Sequence, residues 1–199
     1  MIAIFNYGAG NIRSVENTLA SLGAQYQIVR DVQGLRQAEK ILLPGVGHFG
    51  QMMRALDQLG VRDALVERIR AGVPFLGICL GMQALFEASA EAPEVNGLGL
   101  YPGRVERFPQ GVRAPHMGWN ELELRGSPSL FRGLGARPYV YFAHSYYVPE
   151  AVAGERAAAL VDYSVRYAAA LEAGNVFGVQ FHPEKSGPIG QQVVKNFVG

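Results

Sequence analysis

Cysteine is nearly absent from this sequence, and charge of neither sign is in excess. The single cysteine, Cys79, excludes a disulfide within the chain and fits a reducing compartment such as the cytoplasm. Lys and Arg number 18 and Asp and Glu 17, so a formal net charge of +1 gives no electrostatic case for a nucleic-acid or membrane-surface partner. No apolar run approaches the roughly 20 residues that a membrane-spanning helix requires. The sequence therefore predicts a cytoplasmic protein that binds neither nucleic acid nor membrane.

Ligand spacing for a metal is also missing. The histidines are scattered and the one cysteine has no partner at the short intervals that zinc sites use, so we expect no metal and no other cofactor. The apolar start, Met1 to Asn6, is short and has no basic leader, which favours a buried first strand over a signal peptide. No repeat or linker divides the 199 residues, so the sequence predicts one domain, residues 1–199.

The first half of the chain alternates short apolar runs with helical patterns. Predicted strands are Ile2 to Phe5, Tyr26 to Val29, Lys40 to Leu43 and Val73 to Ile78. Apolar residues at helical spacing predict one helix from Ile12 to Leu22, with Asn11 as its N-cap, and another from Val61 to Ile69. Strands that alternate with helices favour a parallel sheet covered on both faces.

The second half has few helical stretches. Its strand-like segments are Val105 to Phe108, Trp119 to Leu124, Tyr139 to Phe142, Ala157 to Val161, Tyr167 to Leu171 and Val176 to Phe181. Gly174-Asn175 predicts a hairpin between the last two, and a final helix is expected from about Pro188 to Val198. The predicted fold class is therefore α/β: a mixed, mostly parallel central sheet flanked by helices, with an additional antiparallel sheet portion in the C-terminal half.

The most informative segment surrounds the cysteine, where a buried strand is predicted to turn into a helix. Gly77 and Gly81 flank Cys79 in the pattern Gly-x-Cys-x-Gly, which is typical of a nucleophile elbow with cysteine in place of serine. Such a turn leaves the sulfur near helix N–H groups, which favour thiolate and can hold an oxyanion. The helix is predicted from the apolar residues Met82, Leu85 and Phe86. A lone cysteine in an apolar stretch is otherwise ordinary core packing, so the interpretation as a nucleophile requires a base.

His182 is the candidate base, because it directly follows the apolar strand that ends at Phe181. The carboxyl ends of parallel strands are where catalytic sites of α/β sheets are built. Pro183 favours an extended conformation at His182, and residues two apart in an extended chain project to the same side, so Glu184 can orient the imidazole. The alternative for His-Pro-Glu taken alone is a surface turn.

Two of these segments together indicate a family. The run from Gly77 to Gln83, Gly-Ile-Cys-Leu-Gly-Met-Gln, and the run from Phe181 to Lys185, Phe-His-Pro-Glu-Lys, resemble the class I (triad) glutamine amidotransferases. Within that family, three more segments resemble the glutaminase subunits of imidazole glycerol phosphate synthase, an enzyme of histidine biosynthesis. They are Asn6 to Asn11, Leu43 to Gly50 and Pro115 to Asn120. The resemblance extends over essentially the whole chain and implies the flavodoxin-like fold of the family.

The resemblance also implies a reaction and a partner. Cys79 would form a glutamyl thioester from glutamine, with His182 as base and acid and Glu184 orienting it. The ammonia would pass to a separate cyclase subunit, a (βα)₈ barrel that forms a heterodimer with the glutaminase. It would react there with a phosphoribulosyl-formimino aminoimidazole carboxamide ribonucleotide. The products would be imidazole glycerol phosphate and an aminoimidazole carboxamide ribotide.

Substrate-binding residues are implied by the same resemblance. Gln83, one helical turn beyond the nucleophile, would contact the bound glutamine, and Gly47 would border it. Glu91 would hold the amino group of the substrate, and Ser145 with Tyr146 would bind its carboxylate. For Gln83 the alternative is a solvated helix position, and for Tyr146 it is strand packing.

Gly45, Val46 and Leu80 are the residues implied for the oxyanion site. Because glycines permit backbone conformations closed to other residues, the Pro44 to Gly47 strand can have two arrangements. Our hypothesis is that the N–H near Val46 points away from the oxyanion site until the partner is occupied. The alternative is a plain Pro-Gly loop.

Four further residues are implied to lie at the partner interface near the ammonia route. They are Asn11, Trp119, Tyr141 and Lys185. Lys185 directly follows Glu184, so it can connect the catalytic site to a partner. Trp119 is the one tryptophan of the chain, and the alternative for it is a place in the core.

Other interpretations stay open at this point. The chain could serve another synthase, such as one for pyridoxal phosphate, anthranilate or a nucleotide. It could also be a cysteine peptidase or a γ-glutamyl hydrolase with the same elbow, which assays of peptides against free glutamine would distinguish. A non-enzymatic scaffold of flavodoxin-like fold would lose nothing but stability on Cys79→Ala.

Overall fold

A computed structural model describes residues 1–199, and its elements alternate as expected in the first half. The strands, in chain order, are β1 Ile2–Phe5, β2 Tyr26–Val29, β3 Lys40–Gly45, β4 Phe75–Cys79, β5 Phe86–Ser89, β6 Tyr101–Arg107, β7 His116–Glu121, β8 Glu123–Leu124, β9 Tyr139–His144, β10 Tyr146–Tyr147, β11 Ala157–Asp162, β12 Arg166–Ala173 and β13 Val176–Val179. The α-helices are α1 Ile12–Ser21, α2 Val32–Gln37, α3 Phe49–Gln58, α4 Arg62–Arg70, α5 Leu80–Gln83, α6 Glu150–Ala153 and α7 Gly187–Val198. Single 3₁₀ turns are Ser129–Phe131, Gly154–Arg156 and Pro183–Lys185.

One large sheet organises the molecule. Its 8 strands have the order β2-β1-β3-β4-β13-β12-β11-β8. From β2 to β13 the neighbours are parallel, and from β13 to β8 they are antiparallel. Strands β10, β6 and β5 form a second sheet, and β7 pairs with β9 in a third. The predicted fold class, mixed and mostly parallel with an antiparallel C-terminal portion, is confirmed.

The core consists of two apolar layers, one on each face of the large sheet. Successive residues of a strand point to opposite faces, so in β1 Ala3 and Phe5 join one layer while Ile2 and Ile4 join the other. Helices α3 and α4 pack on the first layer, and α1 and α7 pack on the second. Strand β4 lies between β3 and β13, and all of its residues are buried, which explains its uninterrupted apolar sequence.

The predicted strands are confirmed, with small changes in their bounds. The segment from Trp119 to Leu124 is divided at Leu122 into the end of β7 and the short β8. The hairpin predicted at Gly174-Asn175 joins β12 to β13, with Ala173 opposite Val176. The final helix begins at Gly187, one residue before the predicted start.

The predicted amphipathic helix after Cys79 is wrong beyond Gln83, because Phe86 begins strand β5. In a continuing helix the Leu85 carbonyl would accept from the residue four positions later. Instead it accepts from the N–H groups of Leu100, at 2.9 Å, and Tyr101, at 3.0 Å. The chain from Leu80 to Phe86 is buried on every side, so the apolar spacing there does not mark one face of a helix.

Helices α2, α3 and α6 form where no helix was predicted, and the side chain of Asn11 does not cap α1 as predicted. Helix α2 has only 6 residues and buries Leu35 alone, which is too little for a periodic signal. Helix α3 carries a readable apolar face of Phe49, Met52, Met53 and Leu56. Asn11 precedes α1 as predicted, but its side chain makes no capping hydrogen bond.

The elbow around Cys79 depends on the absence of side chains at its flanking glycines. A Cβ on Gly77 would lie 2.4 Å from the carbonyl oxygen of Gly81, and a Cβ on Gly81 would lie 1.9 Å from that of Leu43. These are backbone atoms of α5 and β3, so they cannot move aside as a flexible side chain would. The sequence pattern Gly-x-Cys-x-Gly is thus required by close packing of β3, β4 and α5.

We predict that Gly81→Ala lowers the free energy of unfolding by about 3 kcal/mol or more, because the added methyl overlaps a fixed carbonyl. The matched control is Gly135→Ala, since a Cβ there meets nothing within 4 Å. The control should be neutral or slightly stabilising. Urea unfolding of both variants measures the difference, and equal stabilities would contradict the close approach.

Candidate active site

Cys79 lies at the junction of β4 and α5 with a strained backbone. Its φ of 54° and ψ of −107° are unusual for a residue other than glycine and are typical of a nucleophile elbow. Although the residue is only 6% exposed, it lines a cleft of about 260 Å³. The sulfur is therefore accessible to a small molecule and is not sealed in the core.

His182 and Glu184 form a buried pair beside Cys79. Nδ1 of His182 is 2.9 Å from Oε1 of Glu184, and the two side chains are 4% and 2% exposed. His182 has the extended conformation expected before Pro183, but Glu184 reaches it from the 3₁₀ turn and not from an extended chain. The backbone N–H of His182 donates to the Tyr141 carbonyl at 2.9 Å, which fixes the backbone of His182 relative to β9.

The charge state of His182 is set by its two partners. Burial lowers the pKa of the imidazole, but hydrogen bonds and charge interactions with Cys79 and Glu184 outweigh burial and raise that pKa to about 10. The ring is therefore protonated near neutral pH. An imidazolium at this position stabilises negative charge on the Cys79 sulfur and holds a proton available for a leaving group.

Gln180 is a polar contact of the nucleophile that was not predicted above. Its Nε2 lies 3.5 Å from the Cys79 sulfur, and its Oε1 accepts from Nε2 of Gln83 at 2.9 Å. Gln180 is completely buried. The available signal was a glutamine within the apolar run from Val176 to Phe181. Both polar atoms of this buried amide have partners, as buried polar groups normally do.

The cleft brings together most of the predicted site residues. It is lined by Val46, Gly47, Cys79, Leu80, Gln83, Glu91, Pro115, Met117, Ala143, His144, Ser145, Tyr146 and His182. All the residues implied for substrate binding are in this set, as are two of the three implied for the oxyanion site. Gly45 is not in the set because it lies in β3, where a Cβ would be 2.8 Å from the backbone nitrogen of Gly81.

Glu91 lines the cleft with one oxygen already occupied. Its Oε2 accepts from the N–H of Phe49 at 2.7 Å, at the first turn of α3. The negative end of the carboxylate therefore faces the positive end of the helix dipole, which fixes and stabilises it. A carboxylate held in this way can bind a cationic amino group in the cleft.

Val46 is bound to a residue that lies outside the cleft. Its N–H donates to the Tyr7 hydroxyl oxygen at 3.3 Å, and that hydroxyl donates to the Val46 carbonyl at 3.2 Å. Burial raises the pKa of Tyr7 to about 12, although the hydrogen bond to Val46 lowers it and the charge of Cys79 raises it further. The Val46 N–H is thus occupied by a neutral phenol and is not free for an oxyanion.

The residues implied for the partner interface fall into two groups. Asn11 donates from Nδ2 to Oε1 of Glu184 at 3.2 Å, so it contacts the candidate triad directly. Trp119 is 53% exposed and meets Tyr141 edge-on, with ring centroids 6.1 Å apart. Nζ of Lys185 lies 5.8 Å above the Tyr141 ring. The last three residues therefore form one surface cluster next to the cleft.

The β7–β9 hairpin, the antiparallel strand pair joined by residues 122–138, carries Trp119 and Tyr141 and has two different faces. Its outward side chains include Met117, Trp119 and Tyr139, which are the most exposed large apolar residues of the chain at 65%, 53% and 50%. Its inward side chains include His116 and His144, which pair opposite each other and are buried. Burial lowers the pKa of His116 to about 4 and that of His144 to about 3.

No group of three or more His, Cys, Asp or Glu side chains is arranged to hold a metal ion. None of the helices combines the length and the apolar character that crossing a bilayer would require.

Comparison with known proteins adds sequence relatives. The family model "Glutamine amidotransferase class-I" matches residues 3–199. "Imidazole glycerol phosphate synthase subunit HisH" of Methanothermobacter thermautotrophicus is 46% identical over 198 residues, which cover 100% of this chain and 98% of the relative. The protein of the same name from Desulfitobacterium hafniense strain Y51 is 47% identical over 197 residues, 99% of this chain and 93% of the relative. That of Deinococcus radiodurans is 44% identical and covers 98% and 92%.

Solved structures resemble the chain in fold. A crystal structure of a glutamine amidotransferase superimposes with a TM-score of 0.78 at 21% identity and covers 98% of this chain and 96% of that one. A chain in the structure of PurLQS from Thermotoga maritima gives a TM-score of 0.74 at 19% identity, with coverages of 98% and 96%. At these identities the likeness shows the fold alone.

The depressed pKa values of His116 and His144 predict that acid destabilises the protein. Below the ordinary pKa of 6.5 the unfolded chain protonates both rings and the folded chain protonates neither, so stability is complete above that value and is lost as the pH falls. We expect the free energy of unfolding to drop by roughly 2 to 3 kcal/mol between pH 6 and pH 5. Urea titrations at each pH measure this slope, and His116→Asn should approximately halve it. A flat profile in the wild type would show that both rings are charged in the folded state.

Proposed function

The chain belongs to the class I glutamine amidotransferases, and from that premise we propose that Cys79, His182 and Glu184 are its catalytic triad. The observation that carries the proposal is the cleft in which a strained, accessible Cys79 meets an imidazole held at 2.9 Å by a buried carboxylate. The chain is the glutaminase subunit of imidazole glycerol phosphate synthase and acts in histidine biosynthesis, because relatives that match nearly its full length bear the name of a subunit of that synthase.

In the proposed mechanism the Cys79 thiolate attacks the side-chain amide carbon of glutamine. The His182 imidazolium then donates its proton to the departing nitrogen, which leaves as ammonia while a glutamyl thioester remains on the sulfur. His182, now neutral, takes a proton from water, and the resulting attack releases glutamate. Glu184 keeps the ring oriented throughout, and its charge stabilises the imidazolium.

The substrate lies in the cleft with its two charged ends separated. Glu91 binds the amino group, and the segment of Ser145 and Tyr146 binds the carboxylate. Gln83 contacts the bound glutamine above the floor of the cleft, and Gly47 borders it without a side chain. Support comes from the position of all these residues around one space that also contains the Cys79 sulfur.

The ammonia goes to a cyclase partner. The relatives are named as subunits of a synthase, which implies a second subunit. We assign to this partner a (βα)₈ barrel fold and a heterodimeric assembly in the cytoplasm. Trp119, Tyr141 and Lys185 contact the barrel near the ammonia route, and Asn11 connects that route to Glu184. Support comes from the exposed apolar face of the β7–β9 hairpin, since apolar patches on monomers commonly mark binding sites.

The resting chain has an incomplete oxyanion site in this proposal. We assign one oxyanion donor to the N–H of Leu80, which directly follows the nucleophile, whereas the Val46 N–H is held by Tyr7. Binding of the partner turns the Gly45–Val46 peptide so that its N–H enters the cleft. Loss of one oxyanion donor typically reduces kcat by about a hundredfold to a thousandfold, so the isolated chain is a weak glutaminase.

The test of the function is glutamine hydrolysis by the purified chain with and without a cyclase partner. We expect strong activation by the partner together with its nucleotide, and a loss of at least about a thousandfold on Cys79→Ala. Product formation by a histidine-pathway cyclase distinguishes this subunit from one that serves another synthase. Cleavage of peptides in preference to free glutamine, or full activity of Cys79→Ala, would overturn the proposal.

The test of the resting state is Tyr7→Phe, which removes only the hydroxyl that holds Val46. We expect the glutaminase activity of the isolated chain to rise about tenfold, the equivalent of one hydrogen bond. Activity in the complex should change little, because the N–H is already released there. Tyr101→Phe is the control, since its buried hydroxyl has no partner. An unchanged basal rate in a folded Tyr7→Phe variant would contradict the proposed latch.

A further inference from the structure

Three buried polar groups behind the cleft take no part in the triad. His116 in β7, His144 in β9 and Tyr167 in β12 are 3%, 6% and 0% exposed. The Tyr167 hydroxyl lies 2.7 Å from Nδ1 of His116 and 2.9 Å from Nε2 of His144. Tyr167 thus joins the β7–β9 hairpin to the large sheet through two hydrogen bonds.

The direction of these hydrogen bonds follows from the chemistry of each atom. Nδ1 of His144 lies 2.8 Å from the Tyr146 carbonyl oxygen, which can only accept, so Nδ1 carries the proton. Burial keeps the His144 ring neutral by lowering its pKa to about 3, so Nε2 has no proton and accepts. The Tyr167 hydroxyl must then donate to His144, and its oxygen accepts from His116. Every group therefore has one fixed role.

The chain of hydrogen bonds ends on the floor of the cleft. The Tyr146 carbonyl that accepts from His144 also accepts from Nε2 of Gln83 at 2.9 Å. Gln83 in turn contacts Gln180, whose amide touches the Cys79 sulfur. Tyr146 and Gln83 both line the cleft. The network thus fixes the atoms that surround the site proposed for glutamine.

Removal of the Tyr167 hydroxyl would leave Nε2 of His144 as a buried acceptor without a donor. The Tyr146 carbonyl keeps the proton on Nδ1, so the ring must move toward another donor or admit water to Nε2, and either change displaces Nδ1 from that carbonyl. The hydrogen bond that holds Tyr146 is then weakened, so its segment can shift away from Gln83. Aromatic packing of a phenylalanine ring does not prevent this, because the ring offers Nε2 no donor.

We propose that Tyr167 is a positioning residue of the glutaminase site: its hydroxyl fixes the position of the His144 ring and so holds Tyr146 and Gln83 in the geometry that binds glutamine. This inference rests on the proposed function, because it assigns the two positioned residues to the substrate. Tyr167 itself touches no substrate.

Tyr167→Phe tests the inference in the assembled synthase, with glutamine hydrolysis measured at several glutamine concentrations. The KM for glutamine should rise about tenfold, which corresponds to one buried hydrogen bond, while kcat changes less than threefold. A ¹⁵N NMR spectrum of the free chain should show His144 protonated at Nδ1 in both proteins, with an Nε2 resonance that shifts when the hydroxyl is removed. A merely structural role would not raise the KM separately from kcat.

Tyr163→Phe is the matched control. The Tyr163 ring stacks on His116, with centroids 3.8 Å apart, but its hydroxyl is not a member of the hydrogen-bond chain. Its KM should equal that of the wild type. Equal KM values for Tyr167→Phe and Tyr163→Phe, in a wild type that hydrolyses glutamine, would overturn this inference alone. Absence of Cys79-dependent hydrolysis in the wild type would instead overturn the proposed function.

A second pair of variants applies if Tyr167→Phe does not fold. His144→Asn keeps a donor near the position of Nδ1, and His144→Gln keeps a polar atom near the position of Nε2. The KM should rise more in His144→Gln than in His144→Asn, because only the former loses the donor to Tyr146. The reverse order would show that the donor from His144 to Tyr146 does not matter for glutamine binding.

Discussion

Strands β4 and β13 pair in parallel, with Ile78 opposite Val179, and the position of the candidate catalytic residues follows from this pairing. The next residues along the two strands, Cys79 and Gln180, are 101 positions apart in sequence but in contact through their side chains. His182 follows two residues later and reaches the same sulfur from the end of its strand. A long-range parallel contact of this kind is formed only when the whole sheet is assembled, so the site cannot exist in a partly folded chain.

The same pairing leaves little space at the elbow. Strand β3 lies against β4 on the other side, and its carbonyl at Leu43 occupies the place where a side chain on Gly81 would be. The positive φ of Cys79 is tolerated because these neighbours hold the backbone on both sides. The tight packing of β3, β4 and α5 therefore maintains the strained backbone of Cys79, and that backbone conformation directs the sulfur into the cleft.

The sequence predicted the parts of this protein that depend on local pattern. Strand periodicity located the sheet, and the two segments around Cys79 and His182 identified the family, which the family model confirms. The helix after Gln83 was wrong because carbonyl groups there bond to residues 100 and 101, a choice that no local spacing reveals. The roles of the site residues stay predictions, although the cleft brings most of them together.

Tyr7 and Tyr167 could not have been found in the same way, and Gln180 left only the signal of an amide within an apolar run. Each is a single polar residue whose importance lies in one contact with a distant part of the chain. Tyr7 meets Val46 across 39 positions, and Tyr167 meets His116 across 51. In the sequence alone, a tyrosine in or next to a strand cannot be distinguished from an ordinary packing residue, since its ring satisfies the apolar pattern and nothing marks the partner of its hydroxyl.

The two-faced β7–β9 hairpin has a consequence for how this protein can change in evolution. Because side chains alternate strictly along a strand, a slip of one residue would turn Trp119 toward the core and bring the paired histidines to the surface. Insertions or deletions within these two strands therefore exchange an exposed apolar surface for an interior polar one. Residues 132–137, between the 3₁₀ turn and β9, belong to no strand, so length variation among natural versions of the chain should concentrate there and not in β8, which pairs with β11.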